Sequence, residues 1–115
     1  MKSVEVVAAL GALAQESRLA VYHLLVKRGP EGYTPGELAS ALGIPGPTLS
    51  FHLKELQHVG LVESRRAGRN LHYTADFARM RALVAYLTEK CCSLADEACD
   101  TDCKPVSTTK KRNVA

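Results

Sequence analysis

The chain has 115 residues and a formal net charge of +3. This length allows one modest hydrophobic core and not two. This mildly basic balance permits nucleic-acid binding without requiring it. The sequence holds no apolar run long enough to cross a bilayer, and no nucleophile with a neighbouring base is apparent. We therefore expect one cytoplasmic domain that does not span a membrane and is not an enzyme.

The first residues predict a helix and not a signal peptide. An apolar stretch follows the N-terminus, but Glu5 interrupts it, and Val4, Val7 and Leu10 have helical spacing. A second helix is predicted from Glu16 to about residue 29, with Arg18 on its outer side. The residues expected on its inner side are Leu19, Tyr22, Leu25 and Val26.

Two short helices joined by a tight turn are predicted next. In the first, Thr34 and Glu37 have the spacing of a capping box, and Gly43 ends the helix. Gly60 ends the other helix of this pair, the one that follows the turn. This pair forms a helix-turn-helix, whose second helix would enter the major groove of DNA. The apolar stripe of that second helix, spaced i, i+4 and i+7, is Leu49, Leu53 and Leu56.

The other face of the second helix is small and largely polar. Phe51 is unusual on a solvent face, and the methyl group of a thymine would be a natural contact for it. We expect this face to read bases or to anchor the helix to phosphate. Its candidate DNA-binding residues are Thr48, Ser50, Phe51 and Lys54.

A β-hairpin is predicted after this helix, because Leu71 and Tyr73 alternate with polar residues and Ala67-Gly68 can form a turn. A solvated arginine loop is one interpretation of its charge. Its position directly after a candidate recognition helix favours a wing that contacts phosphate or the minor groove. The fold class is then mainly α with a small hairpin, a winged helix-turn-helix. The arginines at the hairpin are Arg65, Arg66 and Arg69.

A final helix is predicted from Phe77, with Asp76 as its cap. Its apolar residues recur at i, i+3, i+7, i+10 and i+14, a seam of coiled-coil type that needs a partner. A stripe buried inside the monomer is the alternative. The seam consists of Phe77, Met80, Val84, Leu87 and Cys91.

Four stretches carry a family resemblance: Leu13–Leu19, Thr48–Leu53, Gly60–Val62 and Arg66–Arg69. With them the chain resembles the ArsR/SmtB family of metal- and metalloid-responsive winged-helix repressors, over roughly residues 4 to 92. The resemblance implies a homodimer, paired through the first and last helices, that binds double-stranded operator DNA and leaves it when an inducer binds. Pro45 stands where the family often has a capping serine, so Gly46 or the proline-fixed backbone must start the recognition helix.

All four cysteines fall within thirteen residues. Such clustering in a cytosolic chain argues for a metal or redox site, not for a disulfide framework. Adjacent residues diverge by about 100° on a regular helix, so an adjacent pair converges on one ion only where a helix ends. Thiolates without a nearby histidine favour thiophilic ions: three sulfurs suit trivalent arsenic or antimony, and four suit zinc or cadmium. The candidates are Cys91, Cys92, Cys99 and Cys103.

Some arsenite-responsive members of the resembled family carry an adjacent cysteine pair at the end of the last helix and one cysteine beyond it. By this resemblance the ligands would be Cys91, Cys92 and Cys99, with Cys103 as an alternative to Cys99. The leading hypothesis is a repressor that As(III) or Sb(III) releases from DNA. Alternatives on the same scaffold are Cd²⁺, Pb²⁺, a methylated arsenical or thiol oxidation as the signal. From a different class, the alternative is a small protein that sequesters soft metals.

The chain divides into a DNA-binding and dimerisation domain at 1–92, a cysteine-containing inducer-binding segment at 93–104 and a basic tail at 105–115. Composition predicts disorder in the tail. Without ligand, the last helix is expected to run through Cys91 and Cys92. Ligand binding would then unwind or bend its last turn and change the angle between the two recognition helices of the dimer.

Overall fold

Five α-helices, one 3₁₀ turn and one antiparallel hairpin make up residues 1–95, the part of the chain that the computed structural model describes. Their order confirms the predicted winged helix-turn-helix. No helix within these residues is long and apolar enough to cross a membrane. The expected tail and most of the expected inducer-binding segment lie outside the described residues. The elements are α1 (Ser3–Leu13), α2 (Glu16–Arg28), the 3₁₀ turn (Gly29–Glu31), α3 (Pro35–Leu42), α4 (Gly46–His58), β1 (Val62–Ala67), β2 (Asn70–Ala75) and α5 (Phe77–Thr88).

The helix-turn-helix begins and ends at the predicted signals. The Glu37 amide donates to the Thr34 hydroxyl at 3.2 Å, and the Thr34 amide donates to the Glu37 carboxylate at 2.9 Å, which confirms the capping box. The bond from the Thr34 amide is the main reason that the pKa of Glu37 is lowered. α3 ends at Gly43 with φ 65°, and α4 starts after Pro45 with no side-chain cap. Gly60, with φ 83°, turns the chain after α4.

The hydrophobic core lies between α2, α3 and α4, and the inner face of α2 differs from the predicted one. Leu19 is 51% exposed, whereas Val21 is fully buried. These two side chains lie about 200° apart around the helix, so they cannot share a face. Arg18, predicted outside, is half-buried, and its Nε donates to the Ala12 carbonyl at 2.6 Å. The largest fully buried side chains are Val21, Leu25, Leu38, Leu49, Leu53, Leu56 and Leu61.

The hairpin forms as predicted, with its turn one residue later. β1 and β2 pair as far as Ala67, so the loop is Gly68-Arg69 and not Ala67-Gly68. Gly68 has φ 64°, which suits the first loop position of a type II′ turn. Tyr33 forms an isolated β-bridge with β2, since its amide donates to the Tyr73 carbonyl at 3.0 Å and its carbonyl accepts from the Tyr73 amide at 2.8 Å.

α5 begins at the predicted cap and is tied to α1. The Asp76 carboxylate accepts a hydrogen bond from the Arg79 amide at 3.0 Å. The Arg79 guanidinium lies 3.9 Å from the Glu5 carboxylate of α1. The Lys2 amide donates to that carboxylate at 2.8 Å, and this bond, with Arg79 adding to it, lowers the pKa of Glu5. The first and last helices are therefore linked within one monomer.

The end of α5 corrects the expectation of a helix continuous through the cysteines. The helix stops at Thr88, before Cys91 and Cys92. The Thr88 hydroxyl donates to the Val84 carbonyl at 2.9 Å, a bond that competes with the backbone ladder. Lys90 and Cys92 have φ of 55° and 63°, which no right-handed helix contains. The adjacent cysteines thus lie on an irregular turn.

Candidate nucleic-acid interface and cysteine pair

α4 presents a continuous outward face because its opposite face is anchored in the core. Phe51 is 55% exposed, a large apolar side chain on a solvent-facing helix. No side chain caps the first turn and no acidic residue lies in it, so its amide groups add partial positive charge towards solvent. The side chains predicted to contact DNA, all exposed, are Thr48, Ser50, Phe51 and Lys54.

His52 lies beside this face but belongs to the core. Its ring is only 6% exposed, and Nδ1 has no hydrogen-bond partner within residues 1–95. Burial lowers the pKa of His52 because it disfavours the imidazolium, and the positive charge of Arg18 lowers it further. His52 therefore packs as a neutral ring beneath the recognition face.

The hairpin is joined to α4 by short connections that set the distance between the two candidate contacts with DNA. The Leu61 amide donates to the Leu56 carbonyl at 3.0 Å, and Gln57 Nε2 lies 3.2 Å from the Ser64 hydroxyl. A Cβ on Gly60 would lie 3.1 Å from Arg79 Nε, so a larger residue there would push against α5. The spacing of α4 and the hairpin is thus determined by packing. The Gln57–Ser64 contact was not predicted, because no periodicity relates these two positions.

The three arginines of the hairpin have different surroundings. All are exposed, as a phosphate contact requires. Arg66 pairs across the strands with Leu71, and Arg69 lies in the turn. Arg65 pairs with His72 on the opposite face, and its Nη2 lies 3.4 Å from the carbonyl oxygens of both Pro30 and Glu31. These different surroundings of the three arginines could not be predicted from residue type and sequence position.

The cysteine pair lies directly after α5. Cys91 Sγ and Cys92 Sγ are 3.6 Å apart. Two thiolates bound at about 2.3 Å to one tetrahedral soft ion would be about 3.8 Å apart. The two sulfurs are thus close enough to reach one ion, but Cys92 is disulfide-bonded in this structure, which corrects the expectation that no disulfide forms, so ligand binding would require its reduction. Cys99 and Cys103 lie outside the described residues, and within residues 1–95 no group of three metal-ligating side chains forms.

α1 and α5 each keep an apolar face outside the core. On α1, Val6, Ala9 and Ala12 are buried, and on α5 only Leu83 is buried. Phe77 and Met80 pack partly against the core, so the predicted seam is divided between the monomer and an exposed surface. The exposed apolar side chains on the two helices are Val4 (72%), Val7 (67%) and Leu10 (41%) on α1, with Val84 (52%) and Leu87 (58%) on α5.

Comparison with known proteins agrees with this arrangement. A helix-turn-helix domain family matches residues 13–65, from the end of α1 into β1. The transcriptional activator HlyU of Vibrio cholerae is 31% identical over 90 residues, which cover 78% of this chain and 81% of that protein. The HTH-type transcriptional regulator NmtR of Mycobacterium tuberculosis is 39% identical over 70 residues, 61% of this chain and 56% of that protein.

Among solved structures, the chain is similar to a homodimeric winged helix-turn-helix DNA-binding domain from Mycobacterium bovis, a possible ArsR-family transcriptional regulator. The TM-score is 0.59 and the identity 31%, over 82% of this chain and 87% of that one. Fold, order of elements and sequence similarity agree: the chain belongs to the ArsR family of winged helix-turn-helix transcriptional regulators.

Proposed function

We propose that this chain is a homodimeric repressor that binds double-stranded operator DNA and leaves it when As(III) or Sb(III) binds C-terminal thiolates. The ligands are Cys91, Cys92 and Cys99, with Cys103 as the alternative third ligand. The observation that carries the proposal is the 3.6 Å separation of the Cys91 and Cys92 sulfurs on the turn after α5. A soft, pyramidal ion needs two converging thiolates, and a regular helix would have kept them apart.

DNA binding rests on α4 and the hairpin. The outward face of α4 carries Ser50 and Lys54, whose side chains can bind phosphate oxygens, and the uncapped first turn of the helix offers backbone amides to phosphate as well. Phe51 offers an apolar surface for a thymine methyl group in the major groove. Arg66 and Arg69 supply positive charge at the hairpin for the neighbouring phosphates or the minor groove.

The dimer forms through the apolar faces of α1 and α5. The Arg79–Glu5 ion pair joins these two helices within the monomer. Exposed valine and leucine side chains of this number mark an interaction site more often than a solvated surface. A homodimer places two copies of α4 on successive major grooves, which is how a helix-turn-helix protein reaches operator affinity.

Ligand binding acts on the dimer through the end of α5. Leu87 of the exposed face is followed closely by the cysteine pair, and α5 has already ended at Thr88. A third thiolate from further along the chain would close this turn against α5 and the partner subunit, in place of the helix unwinding expected from sequence. A coupling of about 1–3 kcal/mol, roughly five- to 150-fold in affinity, suffices for release from an operator.

The test is a fluorescence-anisotropy assay of operator release by arsenite, under reductant, on the four single Cys→Ser variants. We expect Cys91→Ser, Cys92→Ser and Cys99→Ser to bind operator as the wild type does and to lose release. Cys103→Ser is the matched control and keeps release. Because thiolates must form before they ligate, the arsenite response should strengthen as pH rises through the range where cysteine ionises.

Other outcomes would change the ligand set, the inducing signal or the function itself. A full arsenite response in Cys92→Ser contradicts the three-thiolate site, and loss of response in Cys103→Ser alone identifies Cys103 as the third ligand. Release by Cd²⁺, Pb²⁺, a methylated arsenical or an oxidant, but not by arsenite, keeps the scaffold and changes the signal. Loss of operator binding in Ser50→Ala and Arg66→Ala would exclude a protein that only sequesters soft metals. An increase of transcription by the bound protein would make it an activator, as HlyU is named.

A further inference from the structure

Arg65 makes contacts that separate it from the other arginines of the hairpin. Its Nη2 lies 3.4 Å from the Pro30 carbonyl oxygen and 3.4 Å from the Glu31 carbonyl oxygen, across 35 and 34 positions of sequence. A planar guanidinium can serve two acceptors at once without losing its fixed geometry. In the part of the chain described, the side chains of Arg66 and Arg69 have no hydrogen bond or ion pair.

The acceptor of this contact is a rigid turn. Arg28 holds it with two contacts: its Nε donates to the Gly32 carbonyl at 3.0 Å, and its guanidinium pairs with Glu31 at 3.2 Å. The Arg28 guanidinium also lies over the Tyr33 ring, 4.8 Å from the centroid. The carbonyl groups of Pro30 and Glu31 are thereby presented in a fixed direction.

The two strands of the hairpin are attached to this turn differently. β2 is attached through backbone, by the paired bonds between Tyr33 and Tyr73. Gly32 permits this close approach, since a Cβ there would lie 2.5 Å from the Tyr73 carbonyl oxygen. β1 is the outer strand, and it reaches the turn through the Arg65 side chain. β1 also contacts α4 through Gln57 and Ser64, so the Arg65 side chain adds a second attachment of this strand, on the side of the 3₁₀ turn.

An open surface pocket lies beside Arg65. It has a volume of about 430 Å³ and lies between β1, the 3₁₀ turn and the start of α5. Pro30, Arg65 and Phe77 line it, together with the Asp76 cap. The Gln57–Ser64 contact holds β1 on the side of α4, and the Arg65 bridge holds it on the side of the 3₁₀ turn, beside this open pocket.

We infer that Arg65 is a positioning residue that clamps the hairpin onto the 3₁₀ turn, and that it is not a phosphate contact. This revises the expectation that all three arginines bind DNA in the same way. The inference rests on the proposed DNA-binding function, in which Arg66 and Arg69 contact phosphate. Arg65 then affects DNA binding only indirectly, by orienting the part of the hairpin that carries Arg66 and Arg69.

The test measures operator affinity of the full chain by anisotropy between about 50 and 200 mM salt. Each lost phosphate contact lowers the salt slope of the affinity by about 0.9. Arg66→Ala and Arg69→Ala should each lower the slope by about one. Arg65→Ala should weaken binding about fivefold with an unchanged slope. Arg65→Gln, neutral but able to donate to a carbonyl, should recover part of the affinity at the wild-type slope.

A second measurement uses the protein without DNA. Amide hydrogen exchange in β1 should be faster in Arg65→Ala than in the wild type and unchanged in Arg66→Ala, because only the former loses an attachment. A slope lowered by about one in both Arg65→Ala and Arg65→Gln, with unchanged exchange, would overturn the clamp. If the wild type binds no operator, the proposed function fails, and the exchange data still decide whether Arg65 holds the hairpin.

Discussion

The recognition helix and the cysteine pair are held by tertiary packing to very different degrees. Three leucines of α4 are at most 2% exposed, so the helix that faces DNA cannot shift without disturbing the core. After α5, Cys91 is exposed and Leu94 is 96% exposed, and the chain follows an irregular turn. The proposed DNA-binding surface is therefore preformed in each monomer, whereas the proposed inducer site lies where the backbone can rearrange at small cost.

The largest effect should come from the surface between these two regions, the exposed face of α1 and α5. Leu87→Glu places a carboxylate in the proposed dimer interface, where an unpaired buried charge costs several kcal/mol, about 3–5. We expect a folded monomer in sedimentation and a large loss of operator affinity, since two half-sites are no longer bound together. Leu94→Glu is the control and should remain dimeric. A dimer in Leu87→Glu would place the interface elsewhere.

Truncating the anchor of α4 should destabilise the whole domain. Leu56 is fully buried, so Leu56→Ala removes packed volume and should lower the free energy of unfolding by about 3 kcal/mol. Leu94→Ala, at a side chain 96% exposed, should stay within about 0.5 kcal/mol of the wild type. Urea denaturation of the dimer at fixed protein concentration measures both. Equal effects at the two positions would contradict the contrast between a packed and an unpacked region.

The capping box offers a smaller and more local change in the DNA-binding region. Thr34→Ala removes the hydroxyl that accepts from the Glu37 amide and should cost about 1 kcal/mol of stability. Thr34→Ser keeps the acceptor and is the matched control. Thermal unfolding should separate the two variants. Operator affinity measured well below the unfolding temperature should change little, because α4 keeps its leucine anchors.

The smallest expected effect concerns pH and the neutral ring of His52. Because burial, aided by Arg18, lowers the pKa of His52, the unfolded chain binds this proton more tightly than the folded one. The stability from neutral His52 is therefore fully present above the ordinary value of 6.5 and is lost as pH falls towards the folded pKa. The urea concentration at the midpoint of unfolding should decrease as the pH is lowered from about 7.5 to 5.5, and the decrease should be smaller in His52→Gln. His58→Gln, at an exposed histidine, should keep the wild-type pH dependence.

Several features followed from local sequence because their physical causes are local. The Thr34–Glu37 box, the glycine stop at Gly43 and the Asp76 cap each depend on residues within a few positions of one another. The leucine stripe of α4 depends on helical periodicity, which a sequence displays directly. The exposed polar face of α4 then follows, since it is the remainder of the same helix.

Other features depended on contacts between distant residues. Leu19 and Val21 both suit an inner face, and only the packing of α2 against α4 decided between them. The end of α5 at Thr88 lies before an apparently continuous seam, so the pattern predicted too long a helix.

The order of the helices, their caps, the solvent-facing side of α4 and the clustering of the cysteines could be predicted from the sequence, because these features depend on short spacings and on composition. Only the tertiary structure decided that Arg65 turns to Pro30 and Glu31 while Arg66 lies on the other face of the hairpin. It also brought the Cys91 and Cys92 sulfurs to 3.6 Å. Both contacts join groups whose proximity depends on the folded backbone and not on a regular spacing in the sequence.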